Sequence, residues 1–105
     1  MSFANKTIIV TGASSGIGAA TAKQFLSLGA KVLLVARNKE KMEEMFGSYN
    51  ANQYRIYPFD LTALDQINTF VSDIIREEGP IDIVFNNAGI SQFGYFEDTN
   101  LSVLN

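Results

Sequence analysis

At 105 residues the chain has room for one domain or part of one, and 47% hydrophobic against 18% charged residues mark it as globular rather than disordered. A formal charge of −3 with eight Lys and Arg that form no patch argues against nucleic acid, and the apolar runs are of strand length, too short for a membrane span. With neither Cys nor His, disulfides and the usual zinc or haem ligation are excluded.

The N-terminal Met-Ser-Phe-Ala-Asn-Lys-Thr has no signal-like apolar region and leads into a strand near Thr7 to Val10, so a cytoplasmic location is expected. A helix from about Ile17 would bury Ile17, Ala20, Phe25 and Leu28 and stop at Gly29. The second strand reads Val32 to Ala36, and a short helix with Met42, Met45 and Phe46 inward ends at Gly47. The third strand, Tyr54 to Phe59, contains Pro58, which lacks a ladder donor; the strand must lie at an edge or the proline at its end. The third helix shows the clearest period, with Ile67, Phe70, Val71, Ile74 and Ile75 in one stripe, a capping box at Thr62 and Asp65, and a stop at Gly79-Pro80. A fourth strand runs from Ile81 to Asn86. Continuous apolar strands alternating with helices indicate an α/β protein, a Rossmann-like doubly wound parallel sheet of order 3-2-1-4. A ligand then belongs outside the carboxyl ends of strands 1 and 4, where the winding reverses.

Two motifs fall at those ends. After strand 1 comes Thr11-Gly12-Ala13-Ser14-Ser15-Gly16-Ile17-Gly18, a turn with three glycines that opens a helix. Free N–H groups and the positive dipole end at such a helix start suit an anionic diphosphate. The glycines permit, in turn, a tight turn, a close approach of backbone to ligand, and packing of helix near strand. The spacing G-x-x-x-G-x-G differs from G-x-G-x-x-G, and Ala19-Ala20 replaces the Lys-Ser/Thr of a Walker A loop. Strand 4 closes on Asn86-Asn87-Ala88-Gly89. Its small residues let backbone approach a flat ring or ribose, and its amides are able to tie strands together.

The Thr-Gly-x-x-x-Gly-Ile-Gly loop and the Asn-Asn-Ala-Gly strand end resemble the classical branch of the short-chain dehydrogenase/reductase family. The resemblance runs through the whole chain at four ordered motifs, and over only the N-terminal half of the family domain; residues 1–105 are read as the dinucleotide-binding part of one Rossmann-like domain. It implies that Gly12, Ser14, Ser15, Gly16, Ile17 and Gly18 hold the diphosphate and adenosine ribose, and that Asn87, Ala88 and Gly89 take the remaining ribose and nicotinamide side. Asp60-Leu61-Thr62 matches the family's Asp-Leu/Val position, where the carboxylate bonds the adenine amino group. The end of strand 2, where NAD enzymes commonly carry an acidic residue, reads Ala36-Arg37-Asn38. With no carboxylate to repel a 2′-phosphate and a guanidinium to pair with it, NADP is expected over NAD, Arg37 carrying most of that preference.

The family's catalytic Ser and Tyr-x-x-x-Lys pair has no place in these residues: the last Lys is Lys41 and the first Tyr is Tyr49. The expectation is therefore an oxidoreductase for an alcohol or carbonyl substrate in a longer parent, with residues 1–105 binding NADP(H) but inactive alone. The alternative is a non-catalytic nucleotide-binding or self-associating module. No fifth strand is expected, so Ile83-Val84-Phe85 would expose an apolar edge inviting homo-oligomer formation.

Overall fold

The computed structural model describes residues 2–87 and the backbone of 102–104. In chain order the elements are β1 (Thr7–Thr11), α1 (Gly16–Ser27), β2 (Lys31–Ala36), α2 (Lys39–Phe46), β3 (Tyr54–Pro58), a 3-10 turn (Leu64–Gln66), α3 (Ile67–Glu78), β4 (Ile83–Asn86) and β5 (Ser102–Leu104). The sheet order is β3-β2-β1-β4-β5, and all four pairings are parallel. The carboxyl ends of the strands therefore lie along one edge of the sheet.

Strand periodicity divides the core in two. Ile8 and Val10 of β1 and Val32, Leu34 and Ala36 of β2 point to one face, where they pack with Ala19, Ala22, Phe25 and Leu26 of α1 and Met42 and Phe46 of α2. Ile9, Leu33, Val35 and Val84 point to the other, where Ile67, Val71 and Ile74 of α3 cover them. Both faces of β1 and β2 are thus buried, which explains their uninterrupted apolar sequence. The expected four-strand order stands. Pro58 satisfies both conditions at once, being the last residue of β3 and lying on the edge strand.

Three expectations are corrected. A fifth strand exists: Ser102–Leu104 pairs with β4 at Ile83↔Ser102, Val84↔Val103 and Phe85↔Leu104, so the β4 edge is not bare. Three residues are too few to show a period, which hides this strand in the sequence. The inward face of α1 is Gly18, Ala19, Ala22, Phe25 and Leu26; Ala20 is exposed, Leu28 half-buried and Ile17 70% exposed. Small residues set that face because the helix runs close to the β1 turn, so side-chain bulk is a misleading guide to it. Thr62 caps no helix: a 3-10 turn precedes α3, and neither its Ala63 cap nor the Gln66 cap of α3 makes a side-chain hydrogen bond. By contrast the α3 stripe and its stop are as expected, Gly79 ending the helix at φ 82° with its N–H on the Ile75 carbonyl at 2.9 Å. No helix among the described residues is long and apolar enough to cross a membrane.

Candidate functional site

The site lies where β1, β2, β3 and β4 release the chain at the carboxyl edge of the sheet. After Thr11 the backbone turns at Gly12, whose φ of 65° is left-handed and therefore suits glycine. The Ala13 N–H donates to the Val35 carbonyl at 3.2 Å and its side chain is fully buried, which pins the loop to β2. Ser14 is half-buried and faces the cleft described below. Ser15 is the N-cap of α1 in extended conformation, and its hydroxyl donates to the Gly12 carbonyl at 3.4 Å instead of capping the helix. The N–H groups of Gly16, Ile17 and Gly18 have no intrahelical acceptor, and no acidic residue in the first turn offsets the positive dipole end.

The later two glycines do different work. A Cβ on Gly16 would meet nothing within 4 Å, so that position opens to whatever approaches the helix start. A Cβ on Gly18 would sit 2.1 Å from the Gly12 carbonyl oxygen and 2.8 Å from Asn87 Nδ2. Only glycine lets the helix lie this close to the turn. Asn87 Nδ2 in turn donates to the Gly12 carbonyl at 3.5 Å, and Thr11 Oγ1 donates to buried Asn86 Oδ1 at 3.1 Å. The Asn-Asn pair thus ties β4 to the glycine turn, as its amides predict. Ala88 and Gly89, assigned to the nicotinamide side, lie outside the described residues.

A cleft of about 320 Å³ adjoins the turn, lined by Gly12, Ser14, Ala36, Arg37, Phe59, Asp60, Leu61 and Thr62. The structure therefore brings the glycine turn, the end of β2 and the segment after β3 to one cavity. Arg37 is exposed at its rim, and Leu61, 8% exposed, floors it. Asn38 is half committed elsewhere, because its Oδ1 accepts from the Lys41 N–H at 2.9 Å and caps α2. Asp60 accepts at Oδ1 from both the Thr62 hydroxyl (2.6 Å) and the Thr62 N–H (2.9 Å). Those two bonds, with a smaller contribution from the Arg37 charge, hold its carboxyl below the usual range. Sequence reasoning missed Phe59 and Thr62 as cleft residues. Phe59 stacks on Phe70 of α3 at 3.9 Å between ring centres, a long-range contact with no local signature. Thr62 had a signal, its spacing of two from Asp60, which competes with helix capping.

The cleft lies at the sheet's carboxyl edge beside the glycine turn, where doubly wound sheets take ligands, while Ser15, Gly16, Ile17 and Gly18 of the helix start are not among its lining residues. Comparison with known proteins points to one family. The family model described as short chain dehydrogenase matches residues 6–105. The chain is 40% identical over 92 residues to the uncharacterized oxidoreductase YxbG of Bacillus subtilis, covering 86% of this chain and 34% of that protein. It is 33% identical over 104 residues to dehydrogenase/reductase SDR family member 7B of Xenopus laevis, covering 91% and 32%. Among solved structures, a short-chain dehydrogenase from Streptomyces avermitilis superposes with TM-score 0.75 at 32% identity, over 85% of this chain and 32% of that one. The 2-keto-3-deoxy-D-gluconate dehydrogenase of Streptococcus agalactiae superposes with TM-score 0.70 at 35% identity, over 85% and 34%. The chain spans about a third of the length of these relatives. On sequence, fold and loop geometry together, the chain belongs to the short-chain dehydrogenase family of oxidoreductases.

Proposed function

We propose that residues 1–105 form the NADP(H)-binding part of a single Rossmann-like domain in an oxidoreductase acting on a small alcohol or carbonyl compound. The observation that carries this reading is the contact of Gly18 with the Gly12 carbonyl, 2.1 Å from an imagined Cβ, beside the open space at Gly16. One glycine brings the helix start against the turn, and the other leaves its N–H groups accessible. The residues present fit a dinucleotide. Gly12, Ser14, Ser15, Gly16, Ile17 and Gly18 would hold the diphosphate and adenosine ribose, Arg37 with Asn38 the 2′-phosphate, Asp60 and Leu61 the adenine, and Asn87, Ala88 and Gly89 the nicotinamide side. When bound, the cofactor supplies or accepts hydride at its nicotinamide ring. The chain's own contribution is to bind and orient. Residues 1–105 contain no Tyr-x-x-x-Lys, so binding without turnover is the expected behaviour of these residues alone.

The choice of NADP rests on Arg37, exposed at the cleft rim with no carboxylate of β2 beside it. Titration of NADPH and NADH against the chain and its Arg37→Ala variant tests this. We expect NADPH to bind more tightly, and the substitution to remove about tenfold of that preference, as for a charge-assisted bond at a solvated site. Equal affinities in the unsubstituted chain, or an unchanged ratio in Arg37→Ala, overturn it. A cytoplasmic location and homo-oligomer formation belong to the proposal as separate expectations. Any edge-to-edge association would use the outer side of β5 or β3, since β4 is paired on both sides.

A further inference from the structure

We infer that Arg55 closes the outer edge of β3 to strand addition by a second copy of this chain, with Pro58 closing it at the other end. Among the described residues no strand lies beyond β3 in the sheet. The Gln53 carbonyl accepts from the Val32 N–H at 2.7 Å, and the Phe59 N–H donates to the Ala36 carbonyl at 2.9 Å. Alternation along the ladder then turns the backbone groups of Arg55 and Tyr57 toward β2 as well, and those of Tyr54, Ile56 and Pro58 outward. An outward row of N–H and C=O groups is a template for another strand. Here the row is interrupted. The exposed Arg55 side chain turns back on the edge, where its Nη1 donates to the Tyr54 carbonyl at 3.0 Å and to the Ala51 carbonyl at 3.1 Å. Pro58, the last residue of the strand, has no N–H to offer. Copies of β3 related by a two-fold axis could pair antiparallel about Arg55 or about Ile56. Centred on Arg55, Tyr54 of one copy lies opposite Ile56 of the other, and the Ile56 N–H needs the Tyr54 carbonyl that Arg55 already holds. The two Arg55 charges also come directly opposite each other, which is destabilising. Centred on Ile56, Tyr54 lies opposite Pro58, and the Tyr54 carbonyl finds no donor on the other strand. Arg55 thus blocks one register, and Pro58 weakens the other.

Amide hydrogen exchange reads this edge directly, because the outward amides of β3 gain protection only when a strand is added to it. The experiment follows exchange by NMR at rising concentration in the chain, in Arg55→Ala and in Arg55→Ala combined with Pro58→Ala, with light scattering for size. In the unsubstituted chain the Tyr54 and Ile56 amides should exchange at a rate independent of concentration. In Arg55→Ala both should slow as concentration rises, and the Kd of self-association should fall about tenfold, the scale of the Tyr54 hydrogen bonds freed in the two copies. The double variant should associate more tightly still. The Tyr57 amide, bonded to β2, reports in every case that the strand is folded. Should Arg55→Ala lose that protection, Arg55→Thr repeats the test, since it removes the guanidinium and keeps strand propensity. If the Tyr54 and Ile56 amides of the folded variants stay insensitive to concentration, Arg55 does not close the edge and the proposal fails. It fails equally if the unsubstituted chain already protects those two amides as it associates.

Discussion

Gly18 shows how one missing methyl group places an element. Its Cβ would have to occupy space 2.1 Å from the Gly12 carbonyl oxygen, a backbone atom held by the left-handed turn at Gly12 and the buried Ala13. Neither can retreat without moving the turn. Gly18→Ala should therefore destabilise the chain by about 1–3 kcal/mol, the cost of forcing a group into packed surroundings, and should weaken NADPH binding because the helix start is displaced. Gly16→Ala differs in kind. The added methyl meets nothing, so its cost is the strain of φ 34°, about 1–2 kcal/mol, without displacement of α1. Urea unfolding with parallel NADPH titration separates the two, and equal loss of binding in both variants would contradict the distinction. The glycine spacing was legible in the sequence, and so was the contrast between a position that turns and one that packs. The identity of the α1 inner face was not, because Gly18, Ala19 and Ala22 pack by being small while Ile17, the largest residue of the first turn, stays 70% exposed. An apolar residue beside an open helix start is a poor indicator of core.

At the scale of elements, α3 joins the sheet through its buried stripe and through a polar cluster at its C-terminal end. Ile74 is fully buried in the second core cluster, and Ile74→Ala should cost about 2–5 kcal/mol. The polar cluster is built on Glu78, which accepts from the hydroxyl of Tyr57 on β3 and pairs with Lys31 of β2 at 2.5 Å. Glu77 accepts from the same Tyr57 hydroxyl at 2.9 Å. Burial disfavours the Glu78 charge, but the bonds from Lys31 and Tyr57 outweigh it and leave the carboxyl below its ordinary value. Burial and the two glutamates keep the Tyr57 phenol protonated, and so a donor, far into the alkaline range. Because the folded-state value of Glu78 is depressed, its contribution is present above its ordinary value of 4.5 and is lost as pH falls through the depressed one. Glu78→Gln should therefore lower Tm at pH 7, and the gap to the unsubstituted chain should narrow as the solution is acidified below about pH 4.5. A gap that is constant from pH 7 to pH 3 would show that the carboxylate charge contributes nothing there. The α3 stripe was readable because five apolar residues repeat at helical spacing. The Lys31–Glu78–Tyr57 cluster was not, since it joins three elements far apart in sequence and no local pattern announces it.

For the whole molecule, the order β3-β2-β1-β4 followed from rules of connection and handedness together with one residue, Pro58, that belongs at an edge. The far side of β4 needed information those rules do not contain. Ile83, Val84 and Phe85 form a continuous apolar strand, Val84 fully buried, and such a strand expects neighbours on both sides. The structure supplies one in Ser102–Leu104, across three register positions. A ladder this short contributes few backbone bonds, yet it occupies the N–H and C=O groups that an apolar edge would otherwise offer to another chain. Its importance is then greater for association than for folding. Deleting residues 102–105 should leave the α1 and α3 faces intact, because the buried core residues among the described ones lie within 8–84. It should, however, re-expose the β4 edge. We expect the shortened chain to retain its helical circular dichroism but to form larger species than the intact chain at equal concentration, measured by size-exclusion chromatography with light scattering. Identical size distributions for the two would show that β5 does not shield β4, and the origin of any self-association would have to be sought on another surface.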